Sequence, residues 1–229
     1  AGIDRRAPHM RIFGDGRGTG DERGPILVAG STWPSDDEVL LPALKRVRES
    51  VLGLRIVLVP HEPEGYDFDG LERMLAADGW TPALLGEVEG PQGAGSADAI
   101  LVNRVGMLAD LYGLATVAYV GGGFHTGGLH SVLEPAAAAV PVLIGPRYQS
   151  SIHATGLVAA GAARAVADSE ALANTLREWL DVPEKNEDHG RRAIAYIEHR
   201  RGSAERTADV LAQFFVPRAS PGALSEGET

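Results

Sequence analysis

The sequence holds no cysteine among its 229 residues. Disulfides, thiolate zinc sites and cysteine nucleophiles are thereby excluded. Cations are in deficit: 21 Lys and Arg stand against 31 Asp and Glu, a formal charge of −10. No nucleic-acid partner is expected, because phosphate-backbone binding needs clustered Lys and Arg. An anion can still be held locally by backbone N–H groups, which net charge does not report. Long apolar runs are missing as well. The longest uncharged stretch, 111–133, is broken by glycines, two histidines and hydroxyls, so it cannot span a bilayer. The opening AGIDRRAPHM is charged rather than apolar, and no signal peptide is read there. A GxSxG nucleophile elbow is absent, which leaves serine hydrolysis without support.

What is present is the composition of a folded domain, 44% hydrophobic and 23% charged. Residues 1–24 are polar and rich in Gly and Arg, and read as a connector from an upstream domain. From Pro25 onward short apolar runs alternate with helical patterns. Ile26–Ala29, Arg55–Val59, Ala99–Val102, Thr116–Val120, Pro141–Ile144 and Arg164–Val166 read as strands, with Leu84-Leu85 as a further short one. Helices are expected over 35–50, opened by a Ser35/Glu38 capping box, and over 70–78, 106–114, 131–139, 152–160 and 169–180. Residues 185–215 read as helical with a break near Gly202, and 217–229 as a disordered tail. The domain is thus 25–216. Alternating strands and helices imply an α/β fold, a Rossmann-like parallel sheet with helices on both faces.

In such folds ligands sit beyond the carboxyl ends of the strands. Attention therefore falls on GSTWPS, PHEPEG, the loop after Val102, GGGFHTGGLH and GPRYQSS. Five glycines, Gly121 to Gly123 with Gly127 and Gly128, exceed what a turn requires and suit close approach of backbone to phosphate. Glu134 admits two readings. Ser131 to Glu134 matches a capping box, in which the carboxylate serves its own helix; a helix starting at Pro135 would instead leave it free to hold ribose hydroxyls. His125, His130 and Glu134 have the residue types of a metal site, but a glycine-rich loop is a poor frame for a preorganised triad. Neither metal nor cofactor is expected. His61 and Glu62 have the composition of an acid/base pair, though charged loop residues are commonly just solvated.

Taken in order, GSTW, VPHEPE, GMLADLYGLATVAYVGGGF and GLHSVLEPAAAAVPVLIGP resemble the C-terminal half of the 3-deoxy-D-manno-oct-2-ulosonic acid (Kdo) transferases. The resemblance implies a GT-B glycosyltransferase with two Rossmann-like halves, of which this chain is the half that binds CMP-Kdo. It places the acceptor, a lipid A precursor, and the contact with the inner membrane's cytoplasmic face on the other half. The general-base carboxylate belongs there too, so this half alone is expected to be soluble and catalytically inactive.

By motif, Ser31 and Thr32 match the GST turn, and Gly128, His130 and Ser131 the Gly-Gly-His-Asn segment facing the donor phosphate. Glu134 matches the ribose-binding glutamate, and Gly145 and Pro146 the Gly-Pro turn. His61 falls in the donor loop. The departures are Trp33 in place of His, Leu129 of Gly, Ser131 of Asn, His61-Glu62 of Arg-His, and Asn103 and Met107 of Asp and Glu. They leave two alternatives open: a UDP-sugar transferase or epimerase on the same fold, and a non-catalytic nucleotide-binding module.

Overall fold

Short aliphatic runs closed by Gly, Pro or Asp become seven strands in the computed structural model, which describes residues 12–13, 24–89, 95–181, 183–200 and 210. They are β1 (Ile26–Thr32), β2 (Arg55–Pro60), β3 (Pro82–Leu84), β4 (Ala99–Leu101), β5 (Val117–Val120), β6 (Val142–Ile144) and β7 (Ala163–Ala165). Between and after them lie α1 (Pro34–Arg48), α2 (Phe68–Ala77), α3 (Leu85–Val88), α4 (Leu108–Tyr112), α5 (Leu133–Ala137), α6 (Ile152–Ala159), α7 (Ser169–Asp181) and α8 (Pro183–Arg200). Residues 1–197 make one unit, which holds all seven of these strands. Residues 198–229 make a second, described only at 198–200 and 210.

Every strand pairing is parallel, in the order β3-β4-β2-β1-β5-β6-β7. Strands β2, β4 and β3 lie to one side of β1, and β5, β6 and β7 to the other. The order therefore reverses between β1 and β5. A crevice opens at such a switch point, beyond the carboxyl ends of the two strands.

Successive strand residues feed opposite faces, as the two-residue period requires. Val28, Val57, Ile100, Ala118 and Val142 belong to one core. Their neighbours Leu27, Ile56, Leu101, Val117 and Leu143 belong to the other. Burial on both faces is why these strands read as unbroken apolar runs rather than alternating ones. Helix α1 covers the second face with Leu40, Ala43, Leu44 and Val47, all fully buried at helical spacing. Against it packs α7, whose Leu172, Leu176 and Trp179 are buried.

Several boundaries differ from the sequence reading. Helix α1 begins at Pro34, and Trp33 is its N-cap residue. Its first turn is closed by Asp36, whose Oδ2 accepts from the Trp33 N–H at 3.0 Å. Ser35 caps nothing: its hydroxyl is buried without a partner among the described residues. The expected helices over 106–114 and 131–139 shrink to α4 and α5, and the strand at Leu84-Leu85 shifts to β3. Within 1–24, the Ile12 side chain is 2% exposed and packs into the first core. The Gly202 break and the 217–229 tail lie outside the described residues.

Candidate functional site

The β1 end is shaped by two close approaches. A Cβ on Gly30 would lie 2.3 Å from the Tyr112 hydroxyl, and one on Gly121 2.2 Å from the Ser31 carbonyl oxygen. Only glycine fits at 121, against backbone, whereas at 30 a side chain would have to displace the tips of Tyr112 and Leu108. Between them the β1–β2 register shifts, and Ser31 adopts φ 55°, a left-handed conformation that costs a non-glycine residue about 1–3 kcal/mol. The loops after β1 and β5 are thus in direct backbone contact.

Asp36 ties those loops together. Its carboxylate is fully buried and accepts from the Trp33 N–H at 3.0 Å, the Tyr119 hydroxyl at 2.7 Å and the Gly122 N–H at 2.8 Å. One side chain from α1 so fixes β5, the glycine loop and the turn after β1. Its place in the first turn of a helix was the only signal in the sequence, and that signal indicates a cap rather than a hub.

The five glycines divide by cause. Gly121 and Gly123 allow backbone contact, the latter with Gly145, where a Cβ would come within 2.5 Å. Gly122 and Gly128 hold φ 91° and 92°. Gly128 alone of the five has open space where a side chain would be. Beyond it, the N–H groups of Leu129 and Ser131 make no hydrogen bond to a described residue.

Over this segment sits a ring cluster drawn from three loops. The indole of Trp33 stacks on His125, centroids 4.2 Å apart and planes 6° from parallel, and tilts against His61 at 4.9 Å. His61 and His130 stand 4.0 Å apart. The Trp33 Nε1–H donates to His130 Nε2 at 2.9 Å. Burial holds the His130 pKa below its ordinary value, reinforced by His61 and His125 and opposed by Asp36. This bond and these stacks join the loop after β1 to the loop after β5, across the switch-point crevice. No group of three His, Asp or Glu among the described residues has the arrangement to hold a metal ion.

The expected site residues separate accordingly. His61, Gly128, His130 and Ser131 line the crevice with Ser31 beside them. Thr32 is 2% exposed and its side chain turns to Asp37. Gly145 packs on Gly123, with Pro146 exposed beside it. Glu134 is exposed on α5 and its carboxylate makes no hydrogen bond to a described residue. The Ser131/Glu134 capping box is not formed: Val132 is the N-cap residue, and the Ser131 hydroxyl accepts from the Leu133 N–H at 3.4 Å. Arg147 was missed. Its N–H binds the Gly123 carbonyl at 3.0 Å, which seats it against the glycine loop, and its exposed side chain forms no ion pair with a described residue.

A second cavity, about 740 Å³, lies between α1 and the loop after β2. Asp37, Glu38, Glu62, Glu64 and Asp67 line it, and among the described residues no Lys or Arg does. Such walls repel an anion, so the crevice is the better seat for a phosphate. Glu62 lines this cavity, as does Trp33, against which His61 tilts.

No family model matches the chain. Among curated proteins, the 3-deoxy-D-manno-octulosonic acid transferase of Aquifex aeolicus is 32% identical over 162 residues, 70% of this chain and 43% of that protein. Over its matched length the chain is similar to the Kdo transferases. The Kdo transferase of Rickettsia bellii is 25% identical over 193 residues, 83% of this chain and 45% of its own. The chain thus spans somewhat under half the length of these Kdo transferases. The crystallised C-terminal CMP-Kdo binding domain of WaaA from Acinetobacter baumannii superposes with a TM-score of 0.67 at 24% identity, covering 77% of this chain and 90% of that one. The fold is that of one half of a GT-B glycosyltransferase.

Proposed function

We propose that this chain is the donor-binding half of a Kdo transferase, seating CMP-Kdo at the crevice between β1 and β5 for transfer to a lipid A precursor in lipopolysaccharide synthesis. The observation that carries this reading is the convergence, at the switch point of a sheet of this family, of the same loops that carry the family's motifs. Gly128 to Ser131 offer backbone N–H groups to the donor phosphate, and Ser31 faces it from the turn after β1. Glu134 takes the ribose hydroxyls, Arg147 supplies the positive side of the site, and His61 offers a ring nitrogen beside it. Thr32, Gly145 and Pro146 serve by packing the loops that present these groups.

The chemistry follows from the charges. Breaking the sugar–phosphate bond leaves CMP as an anion, which fixed N–H donors stabilise without reorganising. The incoming hydroxyl must lose its proton to a carboxylate, a role we assign to the other half of the GT-B cleft. Acceptor and membrane contact belong with that half; among the described residues no helix is long and apolar enough to cross a membrane.

Calorimetric titration with CMP, UMP and GMP tests the assignment. Preference for CMP is expected. Preference for a uridine nucleotide would move the chain to the UDP-sugar enzymes. Binding of none would leave a non-catalytic module, the reading that His61 and Ser131 favour by standing where the family has Arg and Asn.

A further inference from the structure

The bond between Trp33 and His130 determines more than the position of a ring. An indole N–H can only donate, so the His130 Nε2 that receives it at 2.9 Å must present a lone pair. The proton of the neutral imidazole is then on Nδ1. That atom makes no hydrogen bond to a described residue, while the Cδ2 edge is closed off by Gly122, where a Cβ would come within 3.2 Å.

We propose that Trp33 is a positioning residue that locks His130 as a neutral Nδ1–H donor, so that the crevice meets a ligand oxygen with a directed hydrogen bond rather than with an imidazolium. The nature of that oxygen, a donor phosphate, rests on the function proposed above; the lock itself does not. The surroundings act in the same sense. A proton added to Nε2 would point at the indole N–H. His61 lies 4.0 Å from His130 on one side, and His125 stacks on the indole. Asp36, the carboxylate that favours protonation of His130, is already held by Trp33, Tyr119 and Gly122. The Trp33 backbone N–H is one of those three donors, which fixes where the side chain leaves the main chain, and the stack on His125 holds the ring itself.

Long-range ¹H–¹⁵N spectra of the imidazoles, recorded against pH on the 229-residue chain, test this without any nucleotide. A His130→Gln spectrum assigns the resonance. The wild type should show a single His130 tautomer protonated on Nδ1 and titrating below 6.5. Trp33→Phe keeps an aromatic face and loses the N–H. It should give mixed tautomers, a higher titration midpoint and CMP binding weakened about two- to tenfold, the worth of one hydrogen bond. A wild-type His130 protonated on Nε2, or a Trp33→Phe chain with unchanged tautomer and midpoint, overturns the proposal. If the wild type binds no CMP, the donor-site reading fails, and the spectra still decide the lock.

Discussion

At Glu134, charge and helix are separated. The carboxylate stands exposed at the start of α5 while Val132 occupies the N-cap. If it grips a ribose, Glu134→Gln removes a charge-assisted hydrogen bond worth about 1.5–3 kcal/mol. CMP affinity should then fall roughly tenfold or more, with the melting temperature almost unchanged. A variant that keeps wild-type affinity in a calorimetric titration would take the ribose role from Glu134. Asp36 shows the converse, a residue whose importance is entirely tertiary. Its three donors come from positions 33, 119 and 122, and nothing in the local pattern brings those together.

Elements were legible to the degree that one local cause fixes them. Strands β1, β2, β4, β5 and β6 announce themselves because burial on both faces demands unbroken aliphatic runs. Helix starts were less legible, since Ser35 with Glu38 and Trp33 with Asp36 compete for the same turn. Asp36 won because the register that buries it also delivers its carboxylate to Tyr119 and Gly122. The ring cluster was illegible as a unit, its members at 33, 61, 125 and 130 being joined only by the sheet order. Helix α1 also carries a proline past its first turn, Pro42 on an exposed face. It lacks the N–H that would bind the Glu38 carbonyl. An interior proline costs about 3 kcal/mol against alanine, partly offset by about 1 kcal/mol from a stiffer unfolded chain. Pro42→Ala should therefore stabilise by roughly 2 kcal/mol. No rise in the denaturation midpoint would mean that neighbouring contacts already absorb the missing bond.

For the whole molecule, Asp37 contributes stability that falls as pH rises through the acid range. Burial, helped by the charge of Asp36 and opposed by the Tyr66 hydroxyl bonded to it, lifts the Asp37 carboxyl from 3.8 to about 6. The folded state thus binds this proton more tightly than the unfolded one. Its stabilising contribution is complete below about 3.8 and lost as pH passes through about 6. Asp37→Asn should flatten that slope and stabilise the chain at pH 8, by on the order of 1–3 kcal/mol. Melting curves from pH 4 to 8 that keep the same slope in the variant would place the titrating group elsewhere.

On the proposed function, catalysis needs a second half facing this one, and positioning alone is worth about 7–11 kcal/mol of a barrier. The 229 residues by themselves should bind CMP and transfer no Kdo; turnover of CMP-Kdo onto a lipid A precursor by the purified chain would refute this.

Of the three tryptophans in the sequence, Trp80 and Trp179 are buried in the core at 4% and 1% exposure. Only Trp33 lies at the crevice, its indole stacked on one imidazole and bonded to another. Excited indole is quenched by a protonated imidazole and responds to the polarity of whatever displaces water beside it. The crevice therefore carries its own optical reporter. Occupancy and protonation of the crevice histidines can both be followed by emission from the unlabelled chain, with Trp33→Phe giving the background of Trp80 and of Trp179, whose own neighbour His189 lies 4.6 Å away.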